Sequence, residues 1–242
     1  MTAERYDMTK PVGFDQKIKL DHLDYTARKA RDTERKKMYE ILDEYLISDI
    51  KGAKSRKNAI TMLMKIWFLV DEGHEELRDR ALDILMSCSP QERIVLHWGM
   101  TMLAYPFFRD LAYEVGNLYQ LQNEVSSQQI GRKMKALYGD RRRVEVATSA
   151  ALSSMKEWGV IQSVKHSIYT LAEKKEVVSQ ELKLWLAEVV VRVSEYSSMP
   201  MDMVISAPNV FPFNFSLNIR EMDESSLSVN RQGLDIQMVG IK

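Results

Sequence analysis

Through the first hundred residues apolar positions recur every three or four places, the spacing that lines one face of an α-helix. From Thr33 the series Met38, Ile41, Leu42, Tyr45 and Leu46 predicts a helix with Asp32 placed as its N-cap, and Gly52 separates it from the next. Ser55 is the expected cap of a helix carrying Ile60, Leu63, Ile66 and Trp67 on one face, with Gly73 after it. Glu75 to Met86 repeats the pattern with Leu77, Ala81, Leu82 and Leu85. The sharpest boundary is Ser89-Pro90-Gln91-Glu92, which offers a capping hydroxyl, a proline at the first helical position and a glutamate able to return a bond to the cap. A helix to about Leu103 follows. These segments predict an N-terminal helical bundle over residues 1–104, with Met and Trp filling irregular gaps.

A second unit is expected over residues 105–175. Pro106 can open a helix but not continue one, and Phe107, Phe108, Leu111, Val115, Leu118 and Leu121 give that helix a long apolar face. Ser126 or Ser127 caps a shorter helix carrying Ile130, Met134, Leu137 and Tyr138, which Gly139 ends as a C-cap. Asp140 is the expected cap of a third helix through Val144, Ala147, Ala151, Met155 and Trp158, closed by Gly159. The spacing then changes: Val160, Ile161, Val164, Ile168, Tyr169 and Leu171 form a β-branched and aromatic run bent near Lys165-His166, the pattern of a short hairpin. Three helices joined by tight turns and followed by a hairpin are the element order of a winged helix.

Residues 176–242 read as a C-terminal helix and an extended docking tail. Ser179 starts a helix with Leu182, Leu184, Trp185, Leu186, Val189 and Val193 that ends near Ser197. Pro200, Pro208 and Pro212 then break the chain; Phe211, Phe213 and Phe215 alternate as in a strand, and Leu227 to Ile241 alternates weakly with Gly233 as a bulge. The predicted fold class is therefore mainly α: a helical bundle, a winged-helix module with a small hairpin, and a C-terminal helix with a tail that docks on the body or on a partner.

Charge sharpens the picture locally and not globally. Lys+Arg and Asp+Glu both number 34, so no overall field draws in a polyanion. Between Gly131 and Arg143, however, Arg132, Lys133, Lys135, Arg141, Arg142 and Arg143 face the single acid Asp140, a local net charge of +5. Cations in the first turn of the third helix oppose its dipole. An anionic partner offsets that penalty, and the open N–H groups of the same turn can hold a phosphate. Farther along, Thr148, Ser149, Ser153 and Lys156 are residue types that read base edges or permit close approach, and Lys165 marks the wing tip. Taken alone, three arginines at a helix start also read as a solvated face paired with Glu145, and winged helices also serve as protein-docking modules. Arg28, Lys29, Arg31, Arg35, Lys36 and Lys37, with Lys51, Lys54, Arg56 and Lys57 beyond them, lengthen the electrostatic footprint only if the fold brings both clusters to one face.

Enzyme signatures are missing: there is no Gly-rich phosphate loop, Walker lysine, G-x-S-x-G elbow or H-E-x-x-H. Gly73-His74-Glu75-Glu76 lacks the second histidine of a zinc site, and Cys88, the only cysteine, can form neither an internal disulfide nor a thiolate cluster. No cofactor or metal is expected. The first ten residues carry Glu4, Arg5 and Asp7 without the apolar stretch of a secretory signal, and runs such as Ile66 to Val70 are far shorter than a membrane span, so a cytoplasmic protein with no membrane partner is expected.

Three stretches carry a family resemblance: Lys54-Ser55-Arg56-Lys57 leading into a helix, Tyr105-Pro106-Phe107-Phe108-Arg109-Asp110, and the run from Ala147 that ends in Trp158-Gly159-Val160-Ile161. Over about two thirds of its length the chain resembles the BrxA proteins of BREX phage-exclusion systems; the segment after about Ser198 departs from that pattern. The resemblance implies a small, non-catalytic DNA-binding component of a defence island. The leading expectation is thus a protein that binds double-stranded DNA through Arg132, Lys133, Lys135, Arg141, Arg142, Arg143, Thr148, Ser149, Ser153, Lys156 and Lys165. The alternatives are an assembly subunit that docks other proteins through the winged helix and the Val210–Phe215 segment, and a transcriptional regulator acting as a dimer on symmetric half-sites.

Overall fold

In the computed structural model, which describes residues 10–194, 196–222, 226–232 and 236–242, the helical spacing of the first hundred residues becomes α1 (Leu20–Ala30), α2 (Arg35–Leu46), α3 (Ala53–Trp67), α4 (Glu75–Ser87) and α5 (Arg93–Ala104). Two expected caps move. The connection out of α1 occupies residues 31–34, so α2 begins at Arg35 with Glu34 in the cap position and Asp32 left in the turn. Gly52 is the N-cap of α3, which puts Ser55 inside the helix. At Ser89 the expected return bond forms: the Glu92 carboxylate accepts from the Ser89 N–H at 3.2 Å and from its Oγ at 2.8 Å. That side chain closes a turn ahead of α5, which therefore begins at Arg93 rather than at Pro90. Glu4, Arg5, Asp7 and Gly233 lie outside the described residues.

The middle of the chain forms α6 (Pro106–Leu121), β1 (Glu124–Ser126), α7 (Ser127–Tyr138), α8 (Arg142–Glu157), β2 (Ile161–Lys165) and β3 (Ile168–Leu171). The three strands make one antiparallel sheet in the order β1-β3-β2, with Val125 opposite Tyr169 and Ser163 opposite Tyr169 on the other side. Ser126 caps α7: its Oγ accepts from Gln129 N at 3.1 Å while the Gln129 side chain takes the Ser126 N–H at 2.9 Å, a reciprocal box. Gly139 has φ 83°, a turn that costs a side-chain-bearing residue strain and a glycine none. Asp140 does not cap α8. Lys135 Nζ captures its carboxylate at 2.8 Å, and Arg141 holds the N-cap position in extended conformation. Leu121 ends the apolar face of α6 in solvent instead of in the core.

Beyond the sheet lie β4 (Lys175–Glu176), α9 (Gln180–Val193), β5 (Ser198–Pro200), α10 (Met201–Ile205), a 3-10 turn at Pro208–Val210, β6 (Phe213–Asn214), a second 3-10 turn at Ile219–Glu221, β7 (Leu227–Gln232) and β8 (Ile236–Ile241). Ser179 caps α9, which ends at Val193, short of Ser197. The three phenylalanines are not one strand: Phe211 follows the first 3-10 turn, and β6 pairs in parallel with β4 over only two residues. All three rings are nevertheless buried. The tail docks on the body as a sheet in the order β5-β8-β7. Fully buried Glu188 of α9 fastens it, accepting from Ser226 Oγ and pairing with Arg80 at 2.7 Å and Arg192 at 2.9 Å.

One continuous apolar core runs under all of these elements. Trp98 of α5 sits at its centre, with ring centroids 5.0 Å from Phe108, 6.1 Å from Trp158, 5.6 Å from Phe211 and 5.9 Å from Phe213, and its Nε1 donates to the Asn209 carbonyl at 2.9 Å. Among the described residues no helix is long and apolar enough to cross a membrane, and no cluster of His, Cys, Asp and Glu suits a metal ion.

The buried histidines give the fold an acid-sensitive side. Burial pushes the His97 imidazole below its ordinary range against the pull of Asp24, whose Oδ1 is 3.7 Å away. Burial likewise lowers His22, against its hydrogen bond to the Asp49 carboxylate at 2.8 Å, and lowers His74. Folded-state values below that of the unfolded chain mean that the unfolded state takes up more protons as pH drops below about 6.5, so stability present at pH 7 is lost toward pH 5. The urea unfolding midpoint is therefore expected to fall between those pH values, and to fall less in His97→Leu. A midpoint that holds or rises on acidification contradicts this reading.

Candidate nucleic-acid interface

One side of α8 is buried and the other is open. Val144, Ala147, Ala151, Leu152 and Met155 enter the core, and the segment 12–19 crosses the same side: the Ile18 N–H donates to Ser154 Oγ at 2.9 Å and Trp158 Nε1 donates to the Ile18 carbonyl at 2.9 Å. Phe14 anchors that segment in the aromatic core with φ 63°, 5.0 Å from Phe108. The uncovered stripe consists of Arg142, Val146, Ser149, Ser153 and Lys156, which recur at alternating steps of four and three and so stand in line along one face of the helix. Ser153 and Lys156 thus join Arg142 across the full length of α8.

Beside this stripe lies a groove of about 460 Å³ floored by α7, α8 and the β2–β3 turn, with Gln128, Arg132, Lys135, Glu145, Ser149 and Ser167 on its walls. The β2–β3 hairpin turns at His166 and Ser167, where Ser167 has φ 62°, and it holds Lys165 in solvent at the end of β2.

The expected site residues divide into three groups. Among the described residues, Arg132, Lys156 and Lys165 have no carboxylate within ion-pair distance. Lys133 pairs with Glu114 at 2.9 Å, Arg142 with Glu145 at 3.1 Å and Arg143 with Asp15 at 3.7 Å; Lys135 is held by both Asp140 and Glu145. These are surface pairs: the Arg142 and Arg143 side chains remain 85% and 66% exposed, so each pair contributes little and can exchange its carboxylate for a phosphate. Hydrogen bonds from Lys135 and then Arg142 hold the Glu145 carboxyl below its usual range, which keeps it anionic in the middle of the cations.

Two expected contacts drop out of the open face. Thr148 is buried and its Oγ1 donates to the Val144 carbonyl at 2.8 Å, because it lies on the core side of α8. Arg141 is half-buried, its guanidinium donating to the Tyr138 carbonyl at 3.1 Å and the Lys10 carbonyl at 3.0 Å, which makes it a clamp between the α7–α8 turn and the N-terminal segment. Val146, 40% exposed, is the member of the stripe that residue type alone did not suggest. Its four-residue step from Arg142 is the signal that finds it, and an apolar side chain there suits a thymine methyl.

The earlier basic clusters are partly self-neutralised. Arg28 pairs with Asp24, Arg31 with Asp83, Lys37 with Glu40 and Arg56 with Asp43. The Val210–Phe215 segment, expected as a docking strip for other proteins, is unavailable for that purpose: Val210, Phe211, Phe213 and Phe215 pack inward against Trp98 and its neighbours. Comparison of the chain with models of protein families, with curated proteins and with solved structures found no match.

Proposed function

We propose that residues 105–175 are a winged-helix module and that the protein is a non-catalytic binder of double-stranded DNA. In this reading α6, α7 and α8 are the three helices, β1 joins the hairpin β2-β3 as the third strand, and α8 enters the major groove with the wing along the backbone. The particular role, following the family resemblance, is that of a BrxA-like component of a phage-exclusion complex.

The observation that carries the proposal is the open stripe Arg142, Val146, Ser149, Ser153 and Lys156, set on a helix whose other side is locked into the core. It combines cations at both ends for phosphates with small and apolar residues between them for base edges. Fluorescence anisotropy on mixed-sequence duplex DNA is expected to show binding that weakens with salt, at a log–log slope of roughly −3 to −5 for that many neutralised phosphates. No binding at low salt removes the proposal.

A protein-assembly role is favoured by one separate feature, an apolar groove between α6, α9 and α10 where Tyr113, Tyr196 and Met203 stand 46%, 65% and 51% exposed. Subunits held there stay bound after nuclease treatment, whereas subunits bridged by DNA are released.

A further inference from the structure

The chain from Ile50 to Val70 contains Lys51, Lys54, Arg56, Lys57 and Lys65 and no acid, in a protein whose charges balance over its full length. Its first part forms the α2–α3 turn and the opening of α3. There Arg56 turns inward, pairing with Asp43 at 2.6 Å and donating to the Ile50 and Lys51 carbonyls at 3.0 and 3.3 Å, so it fixes the turn. Lys51, Lys54 and Lys57 are left in solvent, and among the described residues none has an ion-pair partner. Three uncompensated ammonium groups in and beside the first turn of a helix oppose its dipole, the same unfavourable choice made at the start of α8.

A short chain of contacts joins this block to the far end of the α8 stripe. Glu157, next to Lys156, takes Lys17 Nζ at 2.6 Å. Two residues on, Lys19 Nζ holds Asp49 at 2.8 Å, and Asp49 leads through Ile50 directly into Lys51. The carboxylates along the way are thereby occupied: Glu157 by Lys17, Asp49 by Lys19 and His22, Asp43 by Arg56. Asp21, beside Lys19 at the start of α1, and Glu44, on the last turn of α2, are exposed acids that remain along the way. The α8 stripe and the lysine block are therefore two cationic clusters, far apart in sequence, joined through paired charges.

We infer that a duplex seated on α8 continues past its C-terminal end, and that Lys51, Lys54 and Lys57 grip the phosphates of this flanking DNA. The inference rests on the duplex-binding reading above and adds to it a second contact region, on the N-terminal bundle, that reads no sequence. The footprint is then longer than the roughly one helical turn a lone winged helix occupies.

Anisotropy titrations of the full chain with duplexes of about 10, 16 and 24 base pairs, one to more than two helical turns, test this. Wild type is expected to bind the longest duplex roughly 100-fold tighter than the shortest at 0.1 M salt. The combined Lys51→Gln, Lys54→Gln, Lys57→Gln variant is expected to match wild type on the shortest duplex, to lose most of the gain with length, and to show a salt slope shallower by about 2 to 3 on the longest. An unchanged thermal melting curve identifies that loss as one of contact. If the variant equals wild type at every length, the flanking contact is wrong while the α8 reading stands. If wild type binds no duplex of any length at low salt, both fall.

Discussion

The Arg142→Gln, Arg143→Gln, Lys156→Gln variant is expected to bind mixed-sequence duplex DNA roughly 500-fold more weakly than wild type at 0.1 M salt, because each lost phosphate contact removes about 0.9 of a decade through counterion release. Its salt slope should flatten by about 3. Two features make this a lower bound. Neutralising Arg143 frees Asp15, and neutralising Arg142 leaves Glu145 with Lys135 alone, so both carboxylates face the polyanion with less compensation. Stability should change little, since exposed pairs of this kind contribute about 0–1 kcal/mol. Thermal melting and anisotropy on the same preparation separate the two effects. Equal affinity of variant and wild type, with an equal slope, removes α8 from the interface.

A second large effect is expected at Gly116, on α6. An added Cβ there would lie 1.9 Å from the Pro208 carbonyl oxygen and 2.6 Å from its carbon, so α6 and the 3-10 turn at Pro208–Val210 touch backbone to backbone. The turn cannot simply retreat. Its Asn209 carbonyl accepts from Trp98 Nε1, and Val210 and Phe211 are embedded beside it, so moving Pro208 disturbs the aromatic centre of the molecule. Gly116→Ala is expected to cost roughly 3 kcal/mol or more, the range of severe overpacking, read as a fall in the urea midpoint. Gly131 of α7 makes the matched control, because a Cβ there meets nothing within 4 Å. Gly131→Ala should raise stability by about 0.5–1 kcal/mol through helix propensity. Equal midpoints for both variants and wild type contradict the packing described.

The helices were legible in the sequence because their apolar stripes are long. Leu77, Ala81, Leu82 and Leu85, or Val144, Ala147, Ala151 and Met155, repeat often enough to fix an element and its buried side. Glycines at 139 and 159 marked both ends of the α8 region because positive φ there selects them. What escaped was non-local. β1 is three residues long and exists only through pairing with β3, so periodicity carries no trace of it. The same holds for the phenylalanines at 211, 213 and 215, whose alternation suggests a strand but whose burial follows from Trp98, more than a hundred positions away.

The cationic site was half legible. The run from Arg132 to Arg143 was visible, as was the polar character of Ser149, Ser153 and Lys156. Its tuning was legible only in part: pairing with Glu145 was expected and forms, while Glu114 of α6 and Asp15 of the N-terminal segment reach it from elsewhere. Thr148 and Ser149 are adjacent and chemically alike, and only the 100° step between them sends one hydroxyl to the core and the other to solvent. Local composition thus located the region, while three-dimensional packing selected which of its members can touch a partner.

Contact between the open side of α8 and the duplex can be read directly by photo-crosslinking from a single cysteine. In a Cys88→Ser background, a photoreactive group on Ser149→Cys reports from the middle of the stripe, and the same group on Met203→Cys reports from α10, which packs on α9 and β8. Covalent adducts with duplex DNA are expected from position 149, diminishing as salt rises, and none from position 203. Adducts from neither position, or in equal yield from both, would contradict the assignment of α8 as the element that meets DNA.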